Sequence, residues 1–94
     1  MSFITNGMEL KLNTFNNKAK LSRIVGSNNI IIPRSVIYDN EEYTINVICQ
    51  HCLENNANIT SIRFSHDSEV EFIESEAFSL SALRSIVFPP NTRI

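Results

Sequence analysis

The hexapeptides ITSIRF at residues 59–64 and LRSIVF at residues 83–88 stand 24 positions apart and carry apolar side chains at the same three places. A repeat of this length is one small structural unit that cannot bury its apolar side alone, so a second copy must stack against it. Within ITSIRF the last three residues alternate. Ile62 and Phe64 point one way and Arg63 points the other, as in an extended strand. Copies laid side by side make a parallel ladder with a continuous core.

The repeat extends well beyond these six letters. Residues 45–53 (INVICQHCL) lie over residues 70–78 (VEFIESEAF) at an offset of 25, with Ile45 over Val70, Val47 over Phe72, Ile48 over Ile73, Cys52 over Ala77 and Leu53 over Phe78. Cys49 falls on Glu74 and is the exception. The polar stretch 54–58 is one residue longer than its counterpart 79–82, which turns an offset of 25 into one of 24. Such a length change is what a surface loop tolerates. A degraded copy, IIIPRSV at 30–36, resembles IVFPPNT at 86–92, but Ile30 stands 32 residues before Ile62. The surplus falls where two strand-like runs flank Asp39-Asn40, residues tolerant of turn geometry, and predicts an inserted β-hairpin over 36–47. Ile73, Ala77 and Phe78 have the spacing of about one helical turn. Each coil is thus expected to run strand, turn, short second strand, helical turn.

The first third differs. Asn6-Gly7 between two apolar runs is a strong hairpin signal. Residues 19–25 alternate imperfectly, with Ala19, Leu21, Arg23 and Val25 set against Lys20, Ser22 and Ile24. A solenoid needs its first coil covered, and an antiparallel piece here is suited to that. The expected organisation is one domain over 1–94, with an N-terminal β cap at 1–29 and about two and a half repeats at 30–94.

Composition narrows the class. Apolar residues make up 43% and charged residues 19% of the 94, and Ile leads the apolar set, a β-branched bias that favours strands. No apolar run approaches the ~18 residues of a membrane span, and the start lacks the pattern of a secretory leader. Membrane insertion is therefore not expected, and the default compartment is the cytoplasm. Residues 1–38 hold Lys11, Lys18, Lys20, Arg23 and Arg34 against Glu9, while 39–94 hold Arg63, Arg84 and Arg93 against nine acids. Five scattered cations fall short of the basic, aromatic-interleaved patch that nucleic acid requires.

On these residues the chain resembles the BspA-like leucine-rich repeats of bacterial and protozoan proteins, many of them surface proteins. Residues 70–92 (VEFIESEAFSLSALRSIVFPPNT) follow that pattern almost throughout, residues 47–68 more loosely, and residues 30–36 match its tail. Cys52-Leu53 replaces the family's Ala-Phe pair, and Ser65-His66-Asp67-Ser68 replaces its Pro-containing turn. The resemblance implies a strand-rich α/β fold, a right-handed leucine-rich-repeat solenoid with parallel strands and an N-terminal antiparallel β cap. It implies a non-enzymatic, adhesion-type or surface-antigen-like module for a protein or cell-surface ligand, with no catalytic residue and no cofactor.

Chemistry-bearing motifs are few. Cys49-Gln50-His51-Cys52 has the spacing of a redox dithiol or half a zinc site. Only His66 remains as a further nitrogen ligand beyond His51, and the repeat puts Cys52 at a core position. Two free thiols, one of them buried, is the favoured reading, and a thiol module using both is the alternative. His66-Asp67 lies in a polar turn, where neighbours in sequence rarely orient one another for catalysis. Asn58-Ile59-Thr60 is a glycosylation sequon, and Glu69, Glu71, Glu74 and Glu76 read as a solvated outer face. Gly7 and Gly26 are too few to form a phosphate-cradling loop.

The outward strand positions remain as a partner-binding face: Ile31 in the first coil, Thr60, Ser61 and Arg63 in the second, Arg84, Ser85 and Val87 in the third. The row Ile31–Arg63–Val87 is an apolar strip around one cation, against the alternative that it is plain sheet surface. The last coil, with Leu83, Ile86 and Phe88, has a stacking partner on one side only. This predicts cover by further repeats of a longer array or self-association through the uncapped C-terminal coil.

Overall fold

The computed structural model describes residues 2–26, 28–53, 58–77 and 85–87, the last three by their backbone. Among these residues there are nine strands and no helix: β1 (Ser2–Thr5), β2 (Met8–Asn13), β3 (Lys18–Ile24), β4 (Asn28–Ile32), β5 (Ser35–Tyr38), β6 (Glu41–Ile48), β7 (Ile59–Phe64), β8 (Phe72–Ile73) and β9 (Ser85–Val87).

The first three strands form an antiparallel meander. Asn6 and Gly7 both have positive φ, at 49° and 79°, the two-residue turn whose twist matches that of the flanking strands. Gly7 is also a point of close approach. A Cβ on it would stand 3.1 Å from the Cα of Gly26, and its carbonyl accepts from the amides of Val25 and Gly26 at 2.8 and 3.0 Å. In β2, buried Met8, Leu10 and Leu12 alternate with Glu9, Lys11 and Asn13. The phase of β3 departs from simple alternation. A bulge sets Ser22 and Arg23 opposite Glu9, and the Ser22 hydroxyl donates to the Glu9 carbonyl at 2.9 Å. The extra residue flips the parity, so Ile24 is buried with Leu21 while Arg23 and Val25 face out.

From β3 onward the chain alternates between two sheets. β3, the second half of β6 and β8 pair in parallel in one, and β4, β7 and β9 pair in parallel in the other. The sequence offsets reappear as register. Val47 and Ile48 face Phe72 and Ile73, and Ser61, Ile62 and Arg63 face Ser85, Ile86 and Val87. Ile30, Ile31 and Ile32 face Ile62, Arg63 and Phe64. The corners bond coil to coil as the strands do: Ile24 N donates to Cys52 O at 2.8 Å, Asn28 N to Asn58 O at 2.8 Å and His51 N to Glu76 O at 3.2 Å. The hairpin expected around Asp39-Asn40 pairs β5 with the first half of β6, and both turn residues have positive φ, 52° and 64°. β1 and β5 lie at opposite ends of the first sheet, yet the rings of Phe3 and Tyr38 are 4.9 Å apart. The sheet therefore curls into a half-barrel.

The expected helical turn after Ile73 is a correction. Residues 75–77 form a turn closed by Ala77 N donating to Glu74 O at 3.1 Å. Glu76 has φ +62°, as its counterpart His51 has φ +59°, and a left-handed residue ends any right-handed helix. The fold among the described residues is all strand and turn.

Between the sheets lies one core in which Leu21, Ile45, Ile48, Cys52, Leu53, Ile59 and Ile62 are almost wholly buried. Leu53 is buried as expected. Its counterpart Phe78, and Leu83 and Phe88 of the last coil, lie outside the described residues. Ile48 stands between Leu21 and Ile73 in the parallel ladder, so Ile48→Ala opens a cavity that both neighbours line. The expected loss is about 3–4 kcal/mol, against under about 0.5 kcal/mol for Ile37→Ala on the exposed hairpin edge. Urea unfolding monitored by circular dichroism checks the pair.

Candidate binding face

The face proposed from the sequence is the outer surface of β4, β7 and β9. Asn29 stands opposite Ser61, and a bulge between Asn28 and Asn29, with Asn28 at φ +65°, sets Asn28 opposite Ile59 rather than Thr60. The Ser61 hydroxyl donates to the Asn29 side-chain oxygen, and Thr60 Oγ1 donates to the Asn28 carbonyl at 3.3 Å. Two residues further along each strand, Ile31, Arg63 and Val87 fall in one register row. Ile31 is 61% exposed and Arg63 is exposed with no carboxylate partner among the described residues. Asn29, Ile30, Ile31, Ser61 and Arg63 line a shallow depression of about 290 Å3. Ser85 and Val87 enter as backbone positions in the row, and Arg84 lies outside the described residues. Sequence reasoning missed Asn29. Extending the offset of 32 back by one residue from Ile30 would have found it.

This surface can hold a ligand by three means: apolar contact at Ile31, a guanidinium at Arg63, and hydroxyl and amide groups at Ser61 and Asn29. Among its described residues no nucleophile stands beside a base. The acids assigned to a plain outer face are exposed, but three of them tie coils together. Glu69 pairs with Arg34, with Arg34 Nε donating at 2.6 Å, Glu74 Oε1 accepts from Gln50 N at 2.8 Å, and Glu76 lies 3.5 Å from His51 Nε2.

The cysteine pair sits at the corner between β6 and β7. Cys52 is fully buried and its thiol donates to the Ala77 carbonyl at 3.2 Å. Burial, with the neighbouring Cys49 thiol, pushes its pKa up to about 12. Cys49 is half-buried. Burial and then the Glu74 carboxylate push its thiol up, while Lys20 and Lys11 pull it down. A redox dithiol needs a depressed pKa on an accessible sulfur, and neither thiol has one. Among the described residues no three His, Cys, Asp or Glu side chains gather to hold a metal ion.

A bulky thiol reagent should therefore modify Cys49 alone in the native state, with Cys52 reacting on unfolding. The rate at Cys49 should climb only at pH values above its ordinary thiol range, because the thiolate is the nucleophile and both leading influences disfavour it. Glu74→Gln removes one of those influences and should shift the rate profile to lower pH. Mass-resolved alkylation across pH checks all three outcomes.

No family model and no curated protein matches the sequence. Solved structures that share the fold include a leucine-rich cell surface protein from Faecalibacterium prausnitzii, with a TM-score of 0.75 at 23% identity over 97% of this chain. A leucine-rich repeat protein from Bacteroides capillosus aligns with a TM-score of 0.81 at 24% identity, again over 97% of this chain. The chain spans 24% of the length of the first and 67% of the second. At these identities the shared property is the fold, and the fold of this chain is that of leucine-rich-repeat proteins.

Proposed function

We propose that this chain is a non-enzymatic interaction module of the BspA-like leucine-rich-repeat type, holding a protein or cell-surface ligand on the outer face of β4, β7 and β9. The observation that carries the reading is the register row Ile31–Arg63–Val87 beside the depression lined by Asn29 and Ser61. A parallel ladder sets equivalent residues of successive coils at about 4.8 Å intervals, so a few residues per coil make a continuous contact strip. Repeat proteins use their stacked surfaces in this way.

The finer architecture belongs to the same proposal. The β3–β4–β6 and β6–β7–β8 crossovers join parallel strands of one sheet, and such crossovers are right-handed in nearly all proteins. A right-handed solenoid with residues 1–29 as its cap follows. The antiparallel β1–β2–β3 meander, which bonds in parallel to β6 only through β3, supports that role. The single domain over 1–94, with repeats from residue 30, is the matching division. Self-association through the uncapped C-terminal coil rests on Leu83, Ile86 and Phe88, of which Leu83 and Phe88 lie outside the described residues and Ile86 enters by its backbone alone.

The test compares the parent with the double variant Ile31→Asp/Arg63→Glu and with Ile37→Asp, whose substitution sits on the β5–β6 hairpin away from the row. Each is immobilised against a panel of extracellular and cell-surface proteins, with circular dichroism as the fold control. Any ligand captured by the parent should lose at least about tenfold in affinity with the face variant, as expected when a central charge is reversed and an apolar anchor removed. It should keep its affinity for Ile37→Asp. A ligand insensitive to the face variant would contradict the assignment.

A further inference from the structure

The other sheet carries a site of a different kind. Lys11 on β2 stands directly opposite Lys20 on β3, and Asn13 opposite Lys18. These four residues, with Leu12, Asn16 and Asn46, line a depression of about 290 Å3 that contains no carboxylate. Of the five cations in residues 1–38, Arg23 pairs with Glu9 and Arg34 with Glu69. The remaining three are the lysines of this groove, and none has a carboxylate partner among the described residues. Carboxylates of the nearby hairpin are engaged otherwise: Glu41 accepts from Asn17 and Glu42 from Ser35.

The amides sharpen the polarity. Asn13 Oδ1 accepts from Phe15 N at 2.9 Å, and Asn16 Oδ1 accepts from Lys18 N at 3.2 Å. With both oxygens committed to the loop backbone, the NH2 groups are what these side chains have left to offer. Three ammonium groups and two amide donors therefore surround one hollow with no carboxylate to balance them. Like charges directly opposite on antiparallel strands repel, and an anion between them turns the repulsion into attraction. A planar carboxylate has two oxygens to meet these donors. A tetrahedral oxyanion has three terminal oxygens pointing in different directions.

We propose that this groove binds a tetrahedral oxyanion, the phosphate or sulfate ester group of a small ligand. The site is independent of the β4–β7–β9 face, since the two depressions share no residue. Lys11 and Lys20 supply the central pair of charges, Lys18 closes one side, and Asn13 and Asn16 donate from the loop.

The probes are inorganic phosphate and inorganic sulfate, titrated separately into the intact chain at ionic strength held constant with chloride and read by amide chemical shifts. Saturable shifts at Lys11, Lys18, Lys20 and Asn46 are expected. Lys11→Gln/Lys20→Gln should weaken binding at least tenfold, Lys20→Arg should keep it, and Arg63→Gln should leave it unchanged. The cations of the groove pull the Cys49 thiol down, so bound oxyanion should also slow alkylation of Cys49 by neutral iodoacetamide. Tighter phosphate assigns a phosphorylated ligand and tighter sulfate a sulfated one, and either supports the site. Shifts that chloride reproduces, or a double variant within twofold of the parent, would overturn it.

Discussion

Everything in this fold depends on apolar side chains of one coil being covered by those of the next. Ile62 on β7 lies between Ile30 and Ile86 in one ladder, and Ile48 on β6 lies between Leu21 and Ile73 in the other. A single strand of six residues leaves its inward row half wet, and burial of each such side chain is worth about 1.5–3 kcal/mol only when the row is closed on both sides. Stacking in register closes it. The same register carries backbone bonding through the corners, where Ile24, Asn28 and His51 each donate to the following coil. Because inward and outward positions alternate, the demand for a continuous core also dictates which residues align on the outside.

The offsets of 24, 25 and 32 residues were legible because apolar periodicity is under direct burial pressure, and they return as strand pairing. Asn6-Gly7 and Asp39-Asn40 were legible because a two-residue hairpin needs positive φ and few residues accept it. Cys52 at a core position followed from its alignment with Ala77, and both are buried. The bulges at Ser22–Arg23 and Asn28–Asn29 were not legible. A bulge leaves no composition signal, only a slip in phase that single-strand alternation reads as noise. The helical turn expected after Ile73 failed because i, i+4 spacing of apolar residues is also met by a tight turn with one left-handed residue. Glu76 gives no hint of φ +62° in its side chain.

The lysine groove shows the same division between pattern and pairing. In sequence, Lys11, Lys18 and Lys20 are three of five scattered cations. The hairpin turn between β2 and β3 folds the first onto the third, and ion pairs at Glu9 and Glu69 remove the other two cations from the count. Net charge over a segment says nothing of this, since which cations are left over is decided by cross-strand register. The result is a module with two unlike outer surfaces. One carries an apolar residue and a guanidinium in a row, and the other a hollow of donors. The thiols lie at the corner and are subdued by burial.

The claim on which all of this rests is that β7 is flanked in parallel by β4 and β9. Nuclear Overhauser contacts between backbone protons of a uniformly labelled sample test it most directly. The account predicts interstrand contacts linking Ile62 to Ile30 and Ile31 on one side and to Ile86 and Val87 on the other, with Ser61 near Asn29 and Ser85, all advancing in the same direction along each strand. Contacts running in opposite directions, with Ser61 near Val87 and Arg63 near Ser85, would contradict it.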